Sequence, residues 1–236
     1  LDYRSKGVPL AHMAVLFRSA APSQALEFEL MKRDVPYEVR GGFKFFARAH
    51  IKDVLSYLRV IANVKDETAW LRVLQMENGI GAQGAVKMVR ELVSYDELQP
   101  IISGETVLSI SPRSATGWSS CRGIFHHVTD GHPRVPEMIK RILETGYRDT
   151  LEREYPDWQD RLQDIEALES FSDSYEDLGS FLADISLYDS VGAVQEKGAK
   201  PDELSTLSTI HQAKGLEWDT VFVMHLAESS FPNQYA

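Results

Sequence analysis

Cysteine, long apolar runs and basic charge are all scarce in this sequence. Cys121 is the only cysteine among 236 residues, so the chain cannot form an internal disulfide and a reducing compartment is expected. No apolar run approaches the ~20 residues needed to cross a bilayer. The first residues also show no basic segment followed by an apolar one, the pattern of a signal peptide. We therefore expect a cytoplasmic location and no membrane partner.

Acidic residues outnumber basic ones, with 35 Asp and Glu against 25 Lys and Arg, which gives a formal net charge of -10. Such a balance argues against a chain that binds nucleic acid over its whole surface. Residues 41–60 are an exception, because their lysines and arginines are Lys44, Arg48, Lys52 and Arg59 and their only acid is Asp53. This stretch is the first candidate for a phosphate contact.

The first forty residues predict an alternation of strand and helix. The apolar run Met13–Phe17 predicts a buried strand. Ser23 then stands where a helix N-cap is expected, with Leu26 and Leu30 spaced i, i+4 on one face. "VPYEVRGG" predicts a short strand that ends at two glycines. This order is typical of an α/β domain.

After Gly42 the pattern becomes helical. "IKDVLSYLRVIANV" places Ile51, Val54, Leu55, Leu58 and Ile61 on one helical stripe. The segments "VPEMIKRILETG", "DWQDRLQDIEALESF" and "SYEDLGSFLADISLY" predict further helices, the last with Ser174 and Asp177 as a capping box. "VGAVQEKGAKPDE" reads as a linker, and "LSTLSTI" and "DTVFVMHL" return to strands. A helical block inserted into a split α/β domain is the simplest organisation.

The stretch "STIHQAKGLEWDTVFV" near the end of the chain is the first candidate site. His211, Lys214 and Glu217 follow a predicted strand, Leu204 to Ile210. Ligands of open α/β sheets gather beyond the carboxyl ends of strands. From spacing alone, these side chains form either a ligand site or an ordinary solvated turn.

"VLFRSAAPSQ" is the second candidate, because Arg18 follows another apolar strand just before a helix start. A guanidinium there could fork onto phosphate oxygens, and Phe17 beside it could stack on a base. The competing interpretation makes Phe17 a core residue and pairs Arg18 with a surface acid.

"ENGIGAQGAVKMVREL" is the third candidate. Gly79, Ile80 and Gly81 form a tight turn before a helix whose apolar positions include Ala85 and Val89. Backbone N–H groups at a helix start can bind a phosphate, although the same turn also joins helices without any ligand. No metal site is predicted, since His126, His127 and His132 lack the spacing and partner ligands of a zinc site.

Taken together, the segments resemble the UvrD/PcrA/Rep group of superfamily 1A DNA helicases. The likeness runs from "AVLFRSAAPSQALEFELMKRDVPYEVRGGFKFFARAHIKDVLSYLRVIAN" through "LRVLQMENGIG" to "LSTIHQAKGLEWDTVFV". It implies an α/β plus all-α fold: a split RecA-like α/β domain of the P-loop NTPase type, called 2A, which is incomplete and carries an inserted, mostly helical 2B domain. On this basis residues 1–40 are the first part of 2A with motif IV, residues 41–203 are 2B, and residues 204–236 are the second part of 2A with motif V.

The resemblance also implies roles for residues that bind ATP. Phe17 matches a usually tyrosine position that stacks on adenine. Arg18 matches the motif IV arginine, a catalytic residue that touches the γ-phosphate and stabilises charge as the terminal phosphoryl leaves. Glu217 matches a glutamate that accepts from the ribose hydroxyls, and Lys214 and Gly215 shape the loop that links nucleotide to DNA.

Other positions are implied to bind DNA. His211, with Thr209 in the same motif "TIHQAKG", matches positions that contact single-stranded DNA. Gly79, Ile80 and Gly81 match the 2B turn that meets the duplex backbone, and Lys52 matches a helix start that also approaches the duplex.

Two nucleotide-binding features of the group are missing from this sequence. No G-x-x-x-x-G-K-[ST] phosphate loop and no acidic Walker B strand occur in it. In the family both belong to the first RecA-like domain, which would also supply the ligands of Mg²⁺, and the motif VI arginine would lie beyond Ala236. We therefore expect an excised fragment that cannot hydrolyse ATP alone.

The implied function is that of an ATP-dependent DNA helicase that moves 3′ to 5′ on single strands and unwinds duplex in DNA repair or replication. Its implied partners are ATP, single-stranded DNA, a duplex junction and other repair or replication proteins, and the location is cytoplasmic and nucleoid-associated. One alternative is the helicase subunit of a RecB- or AddA-type helicase–nuclease. The other is a non-enzymatic helical module that binds duplex DNA or a protein, which would leave "FRS" and "HQAKGLEW" unexplained.

Overall fold

The structure is a computed structural model that describes residues 7–17, 23–40, 45–106, 108–187, 203–224 and 226. The chain divides into two units. Leu1–Arg48 and Ile185–Ala236 form an α/β unit, and Ala49–Asp184 form a helical unit. Helix and parallel sheet are thus both present, as the sequence predicts.

The α/β unit is built on a four-stranded sheet of order β2-β3-β1-β4. Its strands are β1 (Met13–Phe17), β2 (Tyr37–Arg40), β3 (Ser205–Thr209) and β4 (Thr220–Val223). All three pairings are parallel. The two ends of the sequence are therefore interleaved, because β3 from the second segment lies between β1 and β2 from the first. The four strands predicted from the sequence are confirmed.

One face of this sheet is covered by helix α1 (Ser23–Lys32). The buried side chains Phe17, Tyr37 and Leu207 form the centre of the core, and Leu26 and Leu30 of α1 pack against them. The predicted i, i+4 stripe is confirmed. The Ser23 hydroxyl donates to the carboxylate of Glu27 at 3.0 Å, so it bonds one turn along its own helix. Short 3₁₀ turns at Leu10–His12 and Phe45–Ala47 complete the described elements of this unit.

The second unit is helical throughout its regular structure. Its helices are α2 (Ala49–Ala62), α3 (Glu67–Met76), α4 (Ala82–Leu92), α5 (Gln99–Ser103), α6 (Ala115–Thr129), α7 (Val135–Ile142), α8 (Arg148–Glu154), α9 (Trp158–Ser172) and α10 (178–187). A 3₁₀ turn at Pro112–Ser114 leads into α6, and a π turn at Leu143–Tyr147 joins α7 to α8. The predicted helical block is confirmed.

Apolar stripes account for the packing of these helices. Ile51, Val54, Leu55 and Leu58 of α2 are buried as the sequence predicts, and α2 packs against α3 and α9 while α3 packs against α4. Trp70 of α3 is fully buried, and its indole N–H donates to the Val64 carbonyl at 2.7 Å. Such pairing is what a buried indole requires.

The predicted capping box before α10 is half right: Asp177 caps the helix, but Ser174 does not take part. Asp177 is the capping residue, because its carboxylate accepts from the Ser180 N–H at 2.9 Å. The Ser174 hydroxyl instead donates to the Phe171 carbonyl at 3.1 Å, at the end of the preceding helix. A serine close to two helix ends can bond to either backbone, and here the earlier helix takes it.

Two further observations concern the rest of the chain. The predicted linker "VGAVQEKGAKPDE" lies outside the described residues except for Glu203. Among the helices that the structure describes, none is both long enough and apolar enough to cross a bilayer.

Candidate nucleotide and DNA site

The parallel pairing of β1 and β3 brings two of the candidate segments to one edge of the sheet. Phe17 at the end of β1 pairs in register with Thr209 at the end of β3. The Ile210 N–H donates to the Phe17 carbonyl at 3.0 Å. Both strands therefore end at the carboxyl edge, where ligands of open α/β sheets bind. Arg18 follows Phe17 in sequence and lies outside the described residues.

The segment after β3 folds into a compact turn that is anchored on Thr209. The Thr209 carbonyl accepts from the Ala213 N–H at 3.0 Å, and its hydroxyl accepts from the Gln212 N–H at 3.3 Å. The turn ends at Gly215, whose φ of 84° lies in the left-handed region that favours glycine. Ala213 is buried beneath the turn. Thr209 is thus a structural anchor of this loop, and its hydroxyl is already occupied by a backbone N–H.

Three charged or polar side chains project from this turn. His211, Lys214 and Glu217 are all exposed. Their side chains make no hydrogen bond or ion pair with any other residue that the structure describes. An imidazole, an ammonium and a carboxylate are thus presented together on one short loop, with donors and acceptors open to a ligand.

Phe17 is buried, whereas the resemblance gives it a role in stacking on adenine. Its side chain is 2% exposed and packs with Tyr37 and Leu207 in the core of the sheet. An aromatic ring that stacks on a base needs one uncovered face. Phe17 is therefore a core residue among the described residues, which favours the competing interpretation of its position, and adenine stacking stays a prediction.

Glu27 is the centre of a buried polar cluster that the sequence did not indicate. Its carboxylate accepts from the Tyr37 hydroxyl at 3.3 Å, the Phe45 N–H at 3.1 Å and the Arg48 guanidinium at 3.2 Å, besides Ser23. Burial raises the pKa of Glu27 above its ordinary value, although Arg48 acts in the opposite direction. The cluster ties α1 to the start of the segment that leads out of the α/β unit.

The same cluster corrects the interpretation of the basic stretch at 41–60. The side chain of Arg48 is 11% exposed and pairs with Glu27, so it serves the core and is not open to phosphate. Lys44 lies outside the described residues, and Arg59 is half-buried. Of the three basic residues of this stretch that the structure describes, only Lys52 is exposed, and its side chain has no hydrogen bond or ion pair with another described residue.

Lys52 stands on a rigidly held first turn of α2. The next residue, Asp53, is buried and accepts from the Arg72 guanidinium at 2.6 Å and the Tyr147 hydroxyl at 2.6 Å. His50, two residues before Lys52, is held between Asp164 at 2.7 Å and Arg161 at 3.0 Å. Because Arg161 can only donate, Nδ1 of His50 accepts and its Nε2–H donates to Asp164. Arg72 is 19 residues from Asp53 and the other three partners are 94 to 114 residues from theirs, so no local pattern could reveal them.

The turn Gly79–Gly81 lies between α3 and α4. Gly79 has φ of 80°. The Ile80 N–H donates to the Glu77 carbonyl at 3.3 Å, and the Ile80 side chain is 5% exposed. Gly81 is the N-cap of α4, and its carbonyl accepts the first helical bond, from Ala85 at 2.9 Å. Ile80 is thus an apolar anchor whose N–H is already bonded within the turn, and its contact with DNA stays a prediction.

The backbone that the turn does present is the start of α4. Residues 82–84 have no acceptor four residues earlier in the helix, and the cap of α4 makes no side-chain hydrogen bond. These N–H groups point out of the helix start, where the helix dipole also favours an anion. Gly81, Ala82 and Gln83 are exposed, so the surface is open to a phosphate.

The two glycines of the turn serve different purposes. A Cβ on Gly79 would lie 2.2 Å from the Arg113 carbonyl oxygen, so the fold itself excludes a side chain there. A Cβ on Gly81 would meet nothing within 4 Å, and its φ of -81° suits any residue. The fold does not explain a glycine at position 81, whereas the close approach of a ligand to the backbone would.

A metal ion has no evident place in the described part of the chain. Among those residues no group of three or more His, Cys, Asp or Glu side chains could hold one. The described residues therefore do not fit a Mg²⁺ site.

Comparison with known proteins identifies the family of this chain. The family model described as UvrD-like helicase C-terminal domain matches residues 2–99 and 134–236. The chain belongs to that family. The UvrD-like resemblance seen in the motifs is thereby confirmed, and residues 100–133 are the stretch that the family model leaves unmatched.

Several curated relatives resemble almost the whole chain. An ATP-dependent DNA helicase PcrA from Staphylococcus epidermidis is 32% identical over 251 residues, which cover 99% of this chain and 33% of the relative. The protein of the same name from Bacillus subtilis is 30% identical over 95% of this chain and 32% of its own. The protein of the same name from Staphylococcus aureus is 31% identical over 99% of this chain and 33% of its own. The UvrD-like chain thus spans about a third of the length of the curated relatives it matches.

Proposed function

We propose that this chain is the part of an ATP-dependent DNA helicase in which nucleotide and DNA contacts are coupled. On this proposal the α/β unit is the 2A part of a RecA-like domain, divided by the helical unit as 2B. The observation that carries the proposal is the register of β1 and β3, since it puts Phe17 and Thr209, the last residues of the two strands, side by side at one sheet edge.

The nucleotide side of the proposal involves three residues. Arg18 contacts the γ-phosphate, where a permanently charged guanidinium stabilises the charge that spreads over the leaving phosphoryl group. Glu217 accepts hydrogen bonds from the ribose hydroxyls, which suits an exposed carboxylate without a described partner. Gly215 supports this role by letting the chain reverse at φ 84° just before Glu217.

The DNA side lies on the same loop and on the helical unit. His211 contacts the single strand, and Lys214 on the same exposed turn adds a cation for a phosphate. The start of α4 and Lys52 contact the duplex backbone, which needs only N–H groups and positive charge and carries no base readout. With these contacts the protein translocates 3′ to 5′ on single-stranded DNA and opens duplex in repair or replication.

Coupling follows from the shortness of the loop between the two contacts. His211 and Glu217 flank one turn whose backbone is closed by the Thr209–Ala213 and Ala213–Leu216 hydrogen bonds. Such a turn moves as a body, so a shift of Glu217 with the nucleotide also shifts His211 against the strand. A nucleotide-driven movement is thereby converted into a movement along DNA.

ATP hydrolysis by the protein encoded by the whole reading frame tests this proposal. We expect Arg18→Ala to lower kcat for DNA-stimulated hydrolysis by at least about a hundredfold. Arg33→Ala is the matched control, because Arg33 is an exposed arginine of the same unit, just after α1, that pairs with Glu29 of that helix. The 236-residue chain alone should show no hydrolysis above its Arg18→Ala variant. Equal activity of the Arg18→Ala and Arg33→Ala proteins would overturn the proposal.

A further inference from the structure

The turn at Gly79–Gly81 packs against residues 111–117, which lie in the stretch that the family model leaves unmatched. The Ser114 hydroxyl donates to the Gly79 carbonyl at 3.1 Å, across 35 positions of sequence. Ser114 is 6% exposed, so this bond is shielded from water. Since the single hydroxyl proton of Ser114 goes to Gly79, Ser111 is the donor in the 2.9 Å contact between the Ser111 and Ser114 hydroxyls.

Two glycines allow the backbones of this segment and of the turn to touch. A Cβ on Gly79 would lie 2.2 Å from the Arg113 carbonyl oxygen, and a Cβ on Gly117 would lie 2.3 Å from the Asn78 carbonyl oxygen. Both distances are far below ordinary contact. The Arg113 backbone therefore fits only because Gly79 has no side chain, and the Asn78 backbone fits only because Gly117 has none.

Ser114 also faces the start of α4. Its oxygen lies 4.0 Å from the place where a Cβ of Gly84 would stand. The serine is thus packed between the turn and the first helical residues, whose N–H groups form the exposed helix start. Loss of the Ser114 hydroxyl would leave the Gly79 carbonyl without this partner and would loosen the direction in which those N–H groups point.

From these contacts we infer that residues 111–117 are the support of the duplex-contacting turn, with Ser114 and Gly117 as its positioning residues. They do not touch DNA but hold the backbone of residues 79–84 in the orientation that accepts a duplex phosphate. The support falls within residues 100–133, which lie between the two stretches matched by the family model. This inference rests on the proposed contact between the turn and duplex backbone.

Duplex affinity of the 236-residue chain over a salt series provides the first measurement. We expect Ser114→Ala to weaken binding of a short duplex about fivefold, as for the loss of one neutral hydrogen bond. Its salt slope should stay that of the wild type, because the number of phosphate contacts is unchanged. Ser114→Thr retains the hydroxyl and should restore most of the affinity. Ser119→Ala, at an exposed serine of the helix α6 that follows Ser114, is the matched control.

Amide hydrogen exchange of residues 79–84 in the DNA-free chain provides the second measurement. Ser114→Ala and Gly117→Ala should both accelerate exchange there, and Gly123→Ala should not, since a Cβ on Gly123 meets nothing within 4 Å. Unchanged exchange at 79–84 in Ser114→Ala would overturn the inference whatever the DNA data show.

Gly81→Ala separates this inference from the proposed duplex contact. If Gly81→Ala weakens duplex binding while Ser114→Ala does not, the turn contacts DNA but the support is wrong. In the converse case, exchange rises in Ser114→Ala, but the chain either does not bind duplex or binds it equally well as wild type, Gly81→Ala and Ser114→Ala. The support by residues 111–117 then stands, and the proposed duplex contact is wrong.

Discussion

Alanine at Gly79 should destabilise the helical unit far more than alanine at Gly81. Gly79 has φ of 80°, and the left-handed region costs a residue with a Cβ about 1–2 kcal/mol. The added Cβ would also overlap the Arg113 carbonyl at 2.2 Å, so the turn must shift and the Ser114 hydrogen bond, worth about 1 kcal/mol, is lost. The expected total is about 2–3 kcal/mol.

Gly81→Ala is the matched control for this prediction. Gly81 has φ of -81°, and a Cβ there would stand in open space. Apart from the lower preference of alanine for the N-cap position, Gly81→Ala should therefore change the free energy of unfolding by at most a few tenths of a kcal/mol.

Urea unfolding followed by far-UV circular dichroism suits this comparison, because most of the described helix belongs to the helical unit. We expect a lower midpoint for Gly79→Ala with the same slope as wild type. A Gly79→Ala midpoint equal to that of Gly81→Ala would refute the reasoning, since it would mean that the Arg113 contact is not part of the folded state.

Three further predictions concern other parts of the chain. Glu27→Gln should cost most at pH values near the ordinary carboxyl pKa of 4.5 and less as the pH rises above it. Because burial raises the pKa of Glu27 in the folded chain, the unfolded chain ionises first, so the stability that this carboxyl contributes declines as the pH rises. Phe17→Ala should lower the free energy of unfolding of the α/β unit by about 3–5 kcal/mol, because the ring is buried. Lys52→Ala should weaken duplex binding and reduce the salt slope by about 1.

Each of these predictions has an outcome that contradicts it. A cost of Glu27→Gln that grows with pH would show that the ionised pair with Arg48 dominates. A Phe17→Ala protein of wild-type stability would place the ring outside the core. Lys65→Ala is the control for Lys52, since Lys65 is exposed but paired with Asp96, and equal effects of the two would remove any special role of Lys52.

Local sequence patterns were sufficient for most of the elements. The apolar run at Met13–Phe17 gave β1 with its observed bounds, and the stripe of α2 is buried as predicted. Strand β3 is a harder case, because its buried positions include Ser205, Thr206 and Ser208. Small polar residues in a central strand are paired there, as with the Thr206 hydroxyl and Glu38 at 3.1 Å, and no hydrophobic pattern marks them.

The candidate site was only partly predictable for a related reason. His211, Lys214 and Glu217 are exposed as a ligand-binding loop requires, and their motif located them. Burial of Phe17 and pairing of Arg48 with Glu27 depend on tertiary contacts between distant residues. A motif records which residue types recur, but it does not report which of them face the core.

The support of the Gly79 turn shows the same limit. Ser114 and Gly117 lie in "SPRSATG", a segment without any motif, and their importance comes from backbone contacts with Asn78 and Gly79. The glycines themselves were visible in the sequence. Their division into one that the fold requires and one that it does not needed the three-dimensional structure.

The most direct test of the coupling is to measure DNA-stimulated ATP hydrolysis in the whole-length protein with the two ends of the 210–217 loop altered separately. Glu217→Gln should raise KM for ATP while single-strand affinity stays near wild type. His211→Ala should weaken the stimulation by single-stranded DNA while the basal rate without DNA is unchanged. Wild-type values for both variants would contradict the claim that this loop joins nucleotide to DNA.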